Sequence, residues 1–304
     1  MKKLFSNAEL GLMSTKKSHN RKKIKATFPR PDFKKDRVAE APPEYLERLG
    51  QYSDVVAHCL KISRQYGGYA SPTSQHAWAS ILFTALCTRA VSLAFLAPYS
   101  QWAKRDFEHW DYASVANVAR TLMETRLNYF YLCIEECSRE EWECRWNMLN
   151  LHDCRSRIEL LSALPNNQEN IAGFQEQMAD LTNRLHNNAF FTQLPESFQN
   201  KVLKGGKAHL FTLEEMAVRA GIELDHFRMF WKLMSSHVHS LPMSFYRMAD
   251  NERGRGVQTK VEEGYTTMLL SFCMTLLVRS RDEYIVLMDG IEKQERQPNS
   301  EYNE

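Results

Sequence analysis

Apolar residues recur at three- and four-residue steps along most of this chain, and strand-like alternation never lasts more than a few residues. The pattern predicts helices over about 43–66, 73–96, 111–136, 139–164, 168–187, 213–220, 225–241 and 258–288. Local signals mark their ends. Pro42 and Pro43 suit a first helical turn, where the missing N–H has no partner to lose. Ser138 with Glu141, and Thr212 with Glu215, have the spacing of capping boxes. Pro98, Pro165 and Asn166 stop helices, and Gly221 suits a left-handed cap. Residues 188–211 hold Pro195, Gly205 and Gly206 and read as a connection with at most a short helix. Gly and Pro are scarce, and no internal repeat is visible. The expected fold is all-α: a single compact multi-helix bundle over 41–290, after a disordered basic arm (1–40) and before a polar, frayed tail (291–304).

Three of these helices carry thin polar lines through apolar surroundings. The 111–136 helix is apolar on most sides, as a core helix should be. Yet Asn117, Arg120, Glu124 and Asn128 line up on it at steps of three, four and four. Such a pair as Arg120–Glu124 either clamps two helices or walls a pocket. The stretch Phe227–Ser240 places Arg228, Lys232, Ser235 and His239 on one face. A Ser235–His239 nucleophile would need a third, orienting group; the plainer reading is a helix-end hydrogen bond. On 139–164, Glu141, Arg145, His152, Arg155 and Glu159 share a sector, which also suits a solvated charged face.

Charge is unevenly spread. Residues 1–37 hold 12 Lys/Arg against 3 Asp/Glu, so the net +2 of the chain leaves the rest acidic. The arm has the chemistry to hold RNA, DNA or an acidic partner through nonspecific contacts. It reads equally as a solubilising tail, or as the result of a start at Met13. The segment Ile81–Pro98 reaches the lower length limit of a membrane span, but Arg89 at its centre favours a helix buried in protein. With no secretory pattern and seven scattered cysteines, a cytoplasmic location with free thiols is expected.

Cofactor and metal sites are not expected. Cys137, Cys144, His152 and Cys154 cannot gather round one zinc ion from a continuous helix. Gly254-x-Gly256 follows no strand and so lacks a nucleotide-binding context.

Three segments together carry a resemblance: Arg120–Leu132, Glu143–Asp153 and Leu213–Ser240. In order and spacing they resemble the bacterial all-α domain-of-unknown-function family 5677. Its pattern has Arg-x-x-x-Glu on an early helix and Tyr-x-x-x-Ser-x-x-x-His on a late one. Arg120 and Glu124 match the first motif, and Ser235 and His239 the second; Trp231 replaces the tyrosine, which removes a hydroxyl. The resemblance implies a helical fold over about 50–285 and supplies no reaction. Separately, six residues between Arg145 and His152 fit the loose Arg/His signature of HEPN ribonucleases. There, by analogy, histidine moves the ribose 2′-OH proton and arginine supports the phosphate charge. Such sites are composite, which implies a homodimer.

The candidate site residues are therefore Arg120, Glu124, Arg145, His152, Ser235 and His239. Two functions remain open, beside a third reading in which the polar line is only structural glue. One is a non-catalytic binding or sensor module built on the buried polar line. The other is a HEPN-like, metal-independent ribonuclease in a phage-defence or toxin system.

Overall fold

The computed structural model describes residues 42–68, 71–245, 254–289 and 291. The basic arm, residues 251–253 of the Asn251–Gly256 loop and the tail from 292 lie outside the described residues. Among the described residues, ten α-helices run in order: α1 (Pro43–Gln65), α2 (Ser74–Leu96), α3 (Tyr112–Tyr129), α4 (Arg139–Ser162), α5 (Gln168–His186), α6 (Glu196–Leu203), α7 (Leu213–Arg219), α8 (Leu224–Val238), α9 (Pro242–Phe245) and α10 (Lys260–Met288). The same residues contain no strand, only an isolated bridge between Trp110 and Gly256.

The helix ends follow local chemistry. Thr73, Asp111, Ser138, Thr212 and Thr259 each cap a helix with a side-chain oxygen. Thr212 and Glu215 form the full capping box. At Ser138 only half of the expected box is made, because the Glu141 carboxylate is bound to Arg145 instead. Gly221 turns the chain between α7 and α8 at φ +73°; a Cβ there would sit 2.6 Å from an Arg279 guanidinium nitrogen.

Two apolar cores result. The larger joins α1, α2, α3, α7, α8 and α10, with Phe83, Leu122, Met123, Met234 and Leu277 fully enclosed. The smaller lies between α4, α5 and α6, around Cys144, Met148, Leu151, Leu185, Phe191 and Val202. Helix α5 thus covers α4 with a core of its own. Helix α2 is long and apolar enough by composition to cross a membrane, yet it packs against α1, α3 and α10. Arg89 returns a hydrogen bond to the Ala85 carbonyl of its own helix (3.0 Å).

The sequence expectation fails at one informative place. The helix predicted to run through Glu136 ends at Tyr129 and widens into one π-turn, Phe130–Ile134. A π-turn inserts one residue and re-aims the chain beyond it; such turns are frequent at functional sites. Here it lets Tyr131, Leu132 and Cys133 stay buried while Glu135 swings back toward α4 and α7.

Candidate functional site

Helix α3 runs through the middle of the larger core and touches α2, α8 and α10. Arg120, on its polar line, meets the face of α8 that carries Trp231 and Ser235. Arg120 Nε donates to Glu124 Oε1 at 2.9 Å, one helical turn on. An Arg120 Nη donates to the Ser235 hydroxyl. The guanidinium lies over the Trp231 ring, 3.2 Å from its centroid. Arg120 is 9% exposed, while the Glu124 side chain keeps 39% of its surface in solvent.

Three of the six candidate residues therefore converge: Arg120, Glu124 and Ser235. His239 does not join them. It is the residue that ends α8, its backbone N–H donates to the Ser235 carbonyl (3.1 Å), and its side chain is exposed. The helix-end hydrogen bond exists, but it belongs to the backbone. Arg228, the first residue of that polar face, is tied to Glu214 of α7 by two hydrogen bonds (3.0 and 2.6 Å).

Arg145 occupies a separate, sealed position. It is fully buried, so the solvated-face reading of its helix fails there. Its guanidinium meets Glu141 (3.0 Å), Glu135 (2.7 Å) and the Tyr131 carbonyl (2.6 Å), and stacks near the Tyr131 ring (4.4 Å). Burial pulls its pKa down, yet the Glu141 hydrogen bond and the charges around it, including Glu135, outweigh that and leave it above the ordinary arginine value. Glu135 also accepts from Arg219 of α7, so one carboxylate joins the π-turn exit to α4 and α7.

His152 points elsewhere on α4: its Nδ1 is 2.8 Å from the Gly205 carbonyl, which can only accept. The 205–211 segment also brings in His209, which the sequence pattern did not single out. Asn128 donates Nδ2 to the Glu124 carbonyl (3.1 Å), which turns its Oδ1 toward His209 Nε2 (2.7 Å). His209 therefore carries its proton on Nε2. Burial, with the nearby His152 adding to it, pushes its pKa down to about 4, so the ring is neutral at physiological pH.

Against α10, Arg126 pairs with Glu283 at 2.7 Å. Burial prevails over pairing at both ends: Arg126 is held below and Glu283 above its ordinary range, each by desolvation. Among the described residues no three His, Cys, Asp or Glu side chains form a metal-binding group. Cys144 and Cys154 are buried in the smaller core.

One family model matches a stretch of the chain that includes Arg120, Glu124, Trp231 and Ser235. The family model covers residues 76–256. The chain belongs to DUF5677, a family of unknown function. The match spans α2 to α9, so it contains the whole Arg120–Glu124–Ser235 line and the α4–α6 core, and omits α1 and α10. No curated protein and no solved structure matches the chain.

Proposed function

We propose that this DUF5677 protein is a non-catalytic binding or sensor module in which the Arg120–Glu124–Ser235 line clamps α3 to α8. One observation carries the reading: the two arginines that would carry phosphate charge are bound into the fold, Arg120 through Nε and one Nη and Arg145 through its buried guanidinium. Arg120 has Nε on Glu124, an Nη on Ser235 and its face on Trp231. Phosphodiester cleavage without metal needs an arginine with open N–H groups beside a histidine that moves a proton. Arg145 is fully buried among two carboxylates and a carbonyl, where a phosphate cannot reach it, so His152, bonded to Gly205 through Nδ1 alone and left with Nε2, has no arginine partner of that pattern beside it. The HEPN-like reading of Arg145 and His152 is therefore the weaker one. Nucleic-acid retention by the basic arm, a cytoplasmic location and a homodimer are compatible with a binding role.

The test compares cleavage of total RNA, in chelator, by wild type, His152→Ala and His239→Ala. The expected result is no cleavage above buffer by any of the three. Cleavage by wild type that either substitution abolishes overturns the proposal in favour of a ribonuclease.

A further inference from the structure

The segment just after the π-turn, Glu135–Ser138, borders a cleft of about 690 Å³, together with the starts of α2 and α4. That volume suits a small organic molecule. Its walls are pre-set rather than loose. Gln75 donates Nε2 to the Cys133 carbonyl (2.6 Å) and Trp142 donates Nε1 to the Leu132 carbonyl (2.9 Å). Both bonds satisfy π-turn carbonyls that the widened turn leaves without helical partners. Trp142 is further fixed by stacking on Trp146 (6.0 Å, 12° between planes), which packs on Trp78 (4.5 Å). An aromatic wall that cannot rotate gives a ring or a cation a ready surface at little entropic cost.

The charges of the cleft narrow the ligand. Three carboxylates line it, and two are committed: Glu135 to Arg145 and Arg219, and Glu143 to Arg139 (2.9 Å). Arg139, the lining cation, is paired with Glu143 through its Nε, which offsets that carboxylate's charge. Glu136 is exposed and is the one lining carboxylate with no ion pair among the described residues. The cleft thus offers a fixed indole and one open negative charge.

We propose that this cleft binds a small planar organic cation, an amidinium or an aromatic ammonium, with its plane against Trp142 and its charge at Glu136. A cation on an indole face and a carboxylate at the rim reinforce each other, and neither favours an anion. The proposal rests on the binding-module reading and names the ligand class for it. It also suggests how binding is felt: Glu136 follows Glu135, the residue that joins the π-turn to α4 and α7.

The full chain is titrated with benzamidine, with benzamide and benzoate as neutral and anionic controls. Tryptophan fluorescence reports the cleft wall, and protection of Cys137 from maleimide reports occupancy, since Cys137 also lines the cleft. Benzamidine should quench saturably and protect Cys137, benzamide and benzoate should bind about tenfold or more weakly, and Glu136→Gln should cost benzamidine about tenfold in affinity. Trp142→Phe should remove most of the quenching while leaving Cys137 protected. Equal binding of benzoate, indifference of benzamidine to Glu136→Gln, or no protection by benzamidine overturns the ligand assignment. None of these outcomes touches the RNA comparison, so failure here is separable from failure of the binding-module reading.

Discussion

Replacing Arg145 by methionine removes a guanidinium that no solvent reaches and that holds Glu135, Glu141 and the Tyr131 carbonyl together. The Glu135 side chain is only 10% exposed, so its charge stays in place with Arg219 alone, and Glu141 loses its partner. Breaking one side of a buried pair costs about 3–5 kcal/mol, because the charge left behind cannot rehydrate freely. That is a large share of a total stability of roughly 5–15 kcal/mol. In urea, with a slope of about 3 kcal/mol per molar, the unfolding midpoint should fall by roughly 1–2 M. Arg145→Lys should recover only part of the loss, because a point charge cannot serve three acceptors set in a fork. Equilibrium urea unfolding by circular dichroism measures both variants. A midpoint change below about 0.3 M for Arg145→Met would show that the side chain is free to act rather than bound into the fold.

Other perturbations discriminate further. Arg126→Met or Glu283→Leu alone should destabilise, whereas the double variant should match or exceed wild type by about 1–4 kcal/mol, since desolvation outweighs that pair; calorimetry decides. His209 is held neutral in the fold at pH values where the unfolded chain takes up the proton. Stability should therefore fall by roughly 3 kcal/mol as pH drops from about 6.5 to about 4, and His209→Gln should flatten that slope. Six of the seven cysteines are buried and Cys137 is half-buried, so native alkylation followed by peptide mapping should modify Cys137 first. Deleting residues 1–37, with their 12 Lys/Arg, should weaken retention on immobilised nucleic acid at low salt; unchanged retention removes the arm from that role.

Much of this fold is legible in the chain. Helical period, capping residues and the prolines locate most helix ends within a residue or two, because those signals are local. The Arg120–Glu124 pair and its meeting with Ser235 are readable as well, since polar residues in step on an oily helix must find partners. The π-turn is not, because Phe130–Ile134 is as apolar and helix-compatible as the turns before it; tertiary packing chooses the wider turn. That hides Glu135, which helical phase would aim elsewhere. The sector on α4 misleads for a related reason: Arg145 looks like a surface arginine until Phe211, Glu135 and the π-turn's Tyr131 close over it. His209 lies in a connection without periodicity, where only contact with Asn128 gives it meaning. His239 is in phase with Ser235, but the helix ends there and releases the ring to solvent.

The most direct test of the clamp is a double-mutant cycle between Arg120→Met and Ser235→Ala, read by urea unfolding. A hydrogen bond from a charged donor predicts a coupling of about 1.5–3 kcal/mol between the two positions, with Glu124→Gln coupled to Arg120 as well. Additive losses, with coupling under about 0.3 kcal/mol, would mean that Arg120 and Ser235 do not hold each other and that the line is open for another use.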